Sequence, residues 1–140
     1  MTRQPFLIYK YISIISIVTA IGVILYLSWT PDPNIGNLIK LPVWLSSWIN
    51  NYGNLRTAVP FFLITLCFEF LLKKNSISSR IYFVWGSLIV VSIAEIGQLF
   101  LSKRHFDVMD IIFGLSGTGL GMTIGIIIKS FLRTSARYLG

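Results

Sequence analysis

Long apolar blocks constrain this chain more than any other feature of its sequence. A bilayer crossing takes about 20 predominantly apolar residues at a rise of about 1.5 Å per residue, and four blocks come near that length. The predicted spans are residues 8–28, 55–72, 81–101 and 109–131. With 54% hydrophobic and only 12% charged residues, the chain is poorly suited to a water-soluble domain. We therefore predict an all-α integral membrane protein, a single domain in which four transmembrane helices form a bundle.

The first block has a second interpretation as a cleaved signal peptide. It is longer than the roughly 7 to 15 residues of a signal core. Trp29, Pro31 and Pro33 follow it, with no clear small-x-small cleavage site. These features favour a first transmembrane helix.

The segment between the first two spans carries two tryptophans. In residues 41–49, Trp44 and Trp48 are four positions apart and would share one helical face. Tryptophan favours the headgroup level of a bilayer. The pattern predicts a short helix lying in the membrane interface, with a plain loop covering the bundle as the alternative.

The formal net charge of +7 indicates membrane orientation and not nucleic-acid binding. The basic residues stand singly or in pairs between apolar blocks, without a basic stripe and interleaved aromatics, so we expect no nucleic-acid partner. Of the 12 lysines and arginines, four spans place eight on one side and four on the other. The side with eight holds Arg3, Lys10, Lys73, Lys74, Arg80, Lys129, Arg133 and Arg137, and the side with four holds Lys40, Arg56, Lys103 and Arg104. The positive-inside rule then predicts a multi-pass protein with both termini in the cytoplasm.

Glu95 is the most informative single residue, because it lies within the third apolar block. In the predicted span it is about six residues, or roughly 9 Å, from the outer end. A charged residue at mid-membrane costs roughly 2.5 to 3.5 kcal/mol on insertion scales, and less toward the interface, so a partner or a wet cavity is expected. Gln98 follows on the same helical face, and Ala94 and Gly97 beside them would let a neighbouring helix approach closely.

A polar turn at residues 102–110 follows that block, and in it Arg104, Asp107 and Asp110 recur at intervals of three. Asp107 is placed to cap the fourth helix, and Asp110 falls in the first turn, where negative charge is favoured. A structural network is therefore one interpretation. The other is a polar pocket at the outer surface. Its predicted binding residues are Glu95, Gln98, Arg104, Asp107, Asp110 and Arg56.

Four glycines recur along the fourth block. They are Gly114, Gly117, Gly121 and Gly125, the last three spaced by four. A face of small residues lets helices pack closely, so it predicts helix packing and not a ligand site. A contact between this face and the third helix would bring Asp110 toward Gln98.

Three residues of the second block have structural explanations. Glu69 sits one turn before Lys73, which predicts a local ion pair at the cytoplasmic boundary. Pro60 is expected near the start of the helix, where the first turn has spare amide positions. Cys67, the only cysteine, lies in an apolar run and is expected to be a small core residue.

Catalytic and metal signatures are missing from the sequence, and we predict no metal site and no cofactor. His105 is the only histidine, with no second His or Cys nearby to complete a metal site. A phosphate-binding glycine loop, a Ser-His-Asp arrangement and a HExxH motif are absent. Glu95 or Asp110 could act as an acid or base on a lipid-linked substrate. Whether the chain is an enzyme therefore stays open, with a non-enzymatic role favoured.

The polar residues and glycines share one pattern of spacing. It reads Glu95-x-x-Gln98, then Arg104-x-x-Asp107-x-x-Asp110, then Gly117 and Gly121. This pattern resembles the signature of VanZ-like membrane proteins, and Asn54 with Pro60-Phe61 is similar to that family's motif in an earlier helix. The resemblance covers residues 54–125, roughly half of the chain. One position departs from it, since Gly114 stands where the family usually has Asn.

The resemblance implies a protein of the bacterial cell envelope, located in the inner membrane. The founding member is linked to low-level resistance to the lipoglycopeptide teicoplanin. Membership would therefore imply an effect on glycopeptide susceptibility, while the biochemical activity of the family is not settled.

Two functions of different classes are compatible with these residues. In the first, Arg56, Lys103 and Arg104 attract an anionic headgroup or a lipid-linked cell-wall precursor, and Glu95 and Gln98 fix polar atoms below it. Membrane lipids are then the partners. In the second, the chain is an accessory subunit of a larger membrane complex. Its contacts would be the glycine face and the aromatic residues Phe83, Trp85 and Phe131.

Overall fold

The computed structural model describes residues 4–32, 42–72 and 76–138, and these residues are mostly helical. The helices are α1 (Gln4–Ser28), α2 (Val43–Asn51), α3 (Gly53–Leu71), α4 (Ile77–Gln98) and α5 (Val108–Tyr138). These ranges contain no strand. Three segments are long and apolar enough to cross a membrane, Gly53–Leu71, Ile77–Gln98 and Val108–Leu132, and α1 adds a shorter apolar stretch, Ile14–Ser28. The predicted all-α class is confirmed: the chain is a helical membrane bundle.

The helix of the third predicted span ends earlier than expected. α4 ends at Gln98 and not at residue 101, because the chain turns at once: the Leu99 amide donates to the Ile96 carbonyl at 3.1 Å and the Phe100 amide to the Gly97 carbonyl at 3.3 Å. Glu95 is therefore three residues from the end of its helix, about 4.5 Å along the axis. The predicted depth of about 9 Å was too large.

The helix of the second span begins earlier than expected, which places its proline further inside the helix. α3 starts at Gly53, so Pro60 lies two turns inside the helix and the prediction of a first-turn proline was wrong. Proline has no N–H to donate to the carbonyl of Arg56, four residues back. Membrane helices tolerate such a position because neighbouring groups and local adjustments satisfy the backbone.

The glycine face of α5 packs on α3. A Cβ atom on Gly117 would collide with the Ala58 carbonyl, and one on Gly121 would collide with the Phe62 carbonyl. Close packing by these glycines is confirmed. Their main partner is α3, and the third span meets this face only at Gly114, through Val91. α3 and α5 are the pair that the glycines bring together, since only residues without side chains allow two backbones to approach this closely.

The α3–α5 interface also buries two hydroxyl groups. Thr65 Oγ1 donates to the Phe61 carbonyl at 2.7 Å, and Thr118 Oγ1 donates to the Gly114 carbonyl at 3.1 Å. Each hydroxyl bonds one turn back within its own helix. These two buried hydroxyls therefore have their partners within their own helices.

At one end of the bundle, a fully buried carboxylate joins α3 to α4. Arg80 Nε donates to Glu69 Oε1 at 2.6 Å and Arg80 Nη2 to Glu69 Oε2 at 3.0 Å. From α5, Lys129 Nζ donates to the backbone carbonyls of Glu69 and Leu72. We call this end of the bundle the Glu69 end.

Some sequence predictions fall on residues outside the described part of the chain. Lys73, the predicted partner of Glu69, is one of them, as are Arg3, Lys40 and Lys74. The short helix predicted at residues 41–49 is found as α2. Its Trp48 ring lies 6.3 Å from the Tyr52 ring, centroid to centroid.

Candidate polar site

The six predicted site residues meet at the end of the bundle opposite the Glu69 end. They are Arg56 from α3, Glu95 and Gln98 from α4, Arg104 and Asp107 from the α4–α5 loop, and Asp110 from α5. We call this set the Glu95 cluster. Glu95, Gln98 and Arg104 are buried, with relative exposures of 2%, 6% and 9%.

Glu95 fixes the turn from α4 to α5. Its Oε1 accepts a hydrogen bond from Gln98 Nε2 at 2.8 Å, and its Oε2 accepts one from the Asp107 backbone amide at 3.1 Å. Both carboxylate oxygens are therefore engaged within the protein. Gln98, three residues after Glu95, is on the same helical face as predicted.

Arg104 holds the end of α1. Its Nε donates to the Thr30 carbonyl at 3.1 Å, and its Nη2 donates to the carbonyls of Asp32 at 3.3 Å and Leu27 at 3.5 Å. The last carbonyls of a helix have no partner within the helix, and a cation is favoured beside them. The guanidinium thus serves as the C-terminal cap of α1, a role that the sequence did not suggest.

Burial lowers the pKa of Arg104 from its usual value, and the positive charge of Arg56 lowers it further. The negative charges of Asp32, Asp110 and Glu95 act in the opposite direction. Arginine stays protonated in proteins even so, because the ordinary pKa of a guanidinium is far above neutral pH. Arg104 is therefore a fixed positive charge.

Trp29, directly after α1, is a second residue that holds the end of α1 in place. Its indole Nε1 donates to the Ala94 carbonyl of α4 at 3.2 Å. The indole ring lies against Gly97, where any Cβ atom would overlap it. The prediction that Gly97 allows close approach is correct, and the group that approaches is this ring.

Asp107 is the N-terminal cap of α5. Its Oδ1 accepts from the Met109 backbone amide at 2.8 Å, which satisfies one of the unpaired amides at the helix start. Its side chain is exposed. This residue has the structural role that the sequence offered for it.

Arg56 and Asp110 form the part of the cluster between α3 and α5. Arg56 lies within electrostatic range of Asp110 and of Glu95. The Thr57 hydroxyl is in hydrogen-bonding position to the Asp110 carboxylate. Asp110 Oδ1 is buried and has no hydrogen-bond partner among the described residues. Buried polar atoms are normally paired, so this oxygen is the acceptor of the cluster that the fold leaves unused.

The cluster therefore divides into two functional parts. Helices and the connecting turn are held in place by Glu95, Gln98, Arg104 and Asp107. Arg56 and Asp110 contribute charge to the space between α3 and α5, and Thr57 is a third contributor that sequence reasoning missed. Its signal was available, since the second and fourth spans run parallel, and a threonine beside Arg56 near the start of α3 then lies level with the first turn of α5.

A pocket of about 400 Å³ lies beside this second part. It is lined by residues 51–55 and by Phe113. Phe113 is three residues after Asp110 on α5, and Gly53 is three residues before Arg56 on α3, so each shares a helical face with its charged neighbour. The pocket adds two amide side chains, Asn51 and Asn54, to the surroundings of the site.

Comparison of the chain with protein families, with curated proteins and with solved structures finds no match. The VanZ-like interpretation therefore rests on the residue pattern alone. At the departing position, Gly114 lies in the packed interface. A Cβ there would be 3.2 Å from Val91 Cγ2 and 3.5 Å from Phe61 Cδ2 and Thr57 Cγ2. Without a shift of these neighbours, an asparagine side chain would not fit at this point.

Proposed function

We propose that this chain is a bacterial inner-membrane protein, VanZ-like in its polar motifs, that recognises the headgroup of an anionic or lipid-linked envelope component. Arg56 attracts the phosphate, and Asp110 Oδ1 accepts a hydrogen bond from a hydroxyl or ammonium group of the same headgroup. The orientation with both termini in the cytoplasm puts this site at the outer leaflet, where lipid-linked envelope components are exposed.

The observation that carries this proposal is the buried Asp110 oxygen that has no hydrogen-bond partner in the described chain. Leaving a buried acceptor unpaired costs about 1–3 kcal/mol. A donor on a bound headgroup would recover that cost. Because a guanidinium lies within range of the same carboxylate, a ligand with both a phosphate and a nearby donor suits the site better than a simple anion.

The remaining residues of the predicted site support the proposal in a different way than expected. Glu95 and Gln98 hydrogen-bond to each other, and Arg104 donates to the end of α1. These three residues shape the site, and they do not need to touch the ligand. In this proposal a supporting role replaces two expectations: that Glu95 and Gln98 fix polar atoms of the ligand, and that Arg104 attracts its anionic group.

The test is lipid analysis of the protein purified in mild detergent, comparing wild type with Arg56→Gln and Asp110→Asn. We expect a phosphate-bearing lipid or lipid-linked species to be enriched with wild type and to fall at least fivefold with either variant. Lys103→Gln is the matched control. The sequence grouped Lys103 with Arg56 as a residue that attracts the headgroup, but its side chain is exposed to solvent and it is not among the charges that act on Asp110, so the present proposal gives it no role. This variant should retain the lipid.

Insertion and helix content must be equal in all four proteins for this comparison. Equal lipid profiles for wild type, Arg56→Gln and Asp110→Asn would reject recognition by this site. In cells, the resemblance further predicts that Arg56→Gln changes teicoplanin susceptibility while Lys103→Gln does not.

The alternative, an accessory subunit of a larger membrane complex, loses part of its basis. The glycine face that would contact a partner is covered by α3, and Phe83 stacks on Phe68 with ring centroids 4.0 Å apart. Trp85 and Phe131 remain exposed, as side chains facing lipid also are. A partner protein retained through purification, without an enriched lipid, would favour this alternative.

A further inference from the structure

A groove between α1 and α3 lies within the apolar part of the bundle. Its volume is about 520 Å³. Ser16, Ile17 and Ala20 line it from α1, and Leu63, Cys67 and Phe70 line it from α3. These residues carry no formal charge, so the groove differs in chemistry from the Glu95 cluster.

The groove is also separate from that cluster in position. Along α3 it extends from Leu63 to Leu71, which is about 12 Å at 1.5 Å per residue. Leu63 is seven residues, or about 10 Å, beyond Arg56. The groove therefore occupies the half of the membrane toward the Glu69 end.

On the α1 side, small residues line the groove without closing it. Ser16 and Ala20 are four residues apart, a spacing that in membrane proteins usually accompanies close helix contact. Here a space remains between them and α3. Leu63 and Phe70 are 52% and 47% exposed. Cys67 is exposed as well, so the expectation of a core residue was wrong. The groove therefore opens sideways toward the surrounding lipid.

The chemistry of the groove selects an apolar occupant. Apolar cavities stay dry, and one of about 150 Å³ holds a benzene molecule, so about 520 Å³ has room for on the order of a dozen or more hydrocarbon carbons. The medium around a membrane helix is made of acyl chains. We propose that this groove binds one acyl chain of a membrane lipid, which fills the space between α1 and α3. Because chain and groove are equally apolar, its retention comes from van der Waals contact along the groove.

The test uses the full chain in phosphatidylcholine vesicles that carry a photoreactive diazirine on the acyl chain. We expect cross-links to residues 63–67 of α3 that saturate at one lipid per protein. Ala20→Trp places a large ring in the groove and should reduce these cross-links at least fivefold. Val18→Trp makes the same change on α1 at a residue that does not line the groove and is 62% exposed; it should leave the cross-links unchanged.

A second measurement does not depend on the tryptophan variant being well folded. A disulfide requires Cα atoms within about 7 Å, which leaves no room for an acyl chain between the helices. In Ser16→Cys, oxidation in the same vesicles should therefore give no disulfide with Cys67. Rapid formation of that disulfide, or cross-links to residues 63–67 that persist in Ala20→Trp, would overturn the proposal.

Discussion

Arg80 meets Glu69 through two parallel hydrogen bonds, 2.6 Å and 3.0 Å long, with the carboxylate fully buried and the guanidinium side chain 13% exposed. This two-point geometry is the strong form of a carboxylate–guanidinium pair. Glu69 is two residues before the end of α3, and Arg80 is three residues after the start of α4. They therefore lie opposite each other in an antiparallel helix pair.

Removal of Arg80 alone should be costly. In Arg80→Met the buried carboxylate of Glu69 loses both donors, and breaking a buried pair in this way costs about 3–5 kcal/mol. We expect a loss of unfolding free energy of that size, measured by detergent-denaturant titration followed by circular dichroism. The double variant Glu69→Met/Arg80→Met removes both charges and should be more stable than Arg80→Met. A single variant that is as stable as wild type would show that the pair contributes nothing.

The Glu69 pair also shows what the sequence could not supply. The charge pattern favoured Lys73, one turn away on the same side, because spacing along one helix is the only geometry that a sequence displays directly. The choice of Arg80 depends on where α3 ends and how tightly the chain turns. Likewise, the sequence shows Arg104 and Trp29, but it does not show that both residues hold the end of α1. Those contacts depend on how distant parts of the chain pack together.

Other features were predictable because a single helix determines them. The apolar blocks predicted the membrane bundle, and the three-residue spacing predicted that Glu95 and Gln98 lie on one helical face. Asp107 was recognised as a cap from its place before an apolar run. The partner of the glycine face was not predictable, because a face of small residues shows that some helix packs there without indicating which one.

Substitution of the α5 glycines should separate them into two classes. Gly121→Ala places a methyl group against the Phe62 carbonyl, which is backbone and cannot rotate away. We expect a loss of about 1–3 kcal/mol from overpacking, in thermal unfolding in mild detergent. Gly119→Ala is the control on the same helix, because nothing lies within 4 Å of its Cβ position. It should be neutral or stabilising by up to about 1 kcal/mol through helix propensity. Equal effects of the two substitutions would contradict the described α3–α5 contact.

The Arg104 cap should control fraying of α1. Lysine keeps the charge but has a single nitrogen in place of the guanidinium fork, so Arg104→Lys cannot reproduce the bonds to the carbonyls of Thr30 and Asp32. We expect amide hydrogen exchange at Trp29 and Thr30 to accelerate on the order of 10-fold, as loss of about 1.4 kcal/mol would produce. Lys103→Arg, the reverse change at the neighbouring exposed residue, should leave exchange there unaltered. Unchanged protection in Arg104→Lys would mean that α1 is held by other contacts.

The Glu95–Gln98 pair permits a test by exchange of the two residues. In Glu95→Gln, the amide has only one oxygen for two donors, Gln98 Nε2 and the Asp107 amide. The Gln98 amide can turn over so that its oxygen accepts from the amide introduced at position 95. Both bonds are then kept but neither has a charged acceptor, and we expect a loss of about 1 kcal/mol in thermal unfolding. Adding Gln98→Glu reverses the pair: the side-chain amide introduced at position 95 can donate to the carboxylate introduced at position 98, while its oxygen still accepts from the Asp107 amide. The double variant should therefore recover at least half of the loss. A double variant less stable than Glu95→Gln would show that the position of the negative charge matters more than the donor and acceptor pattern.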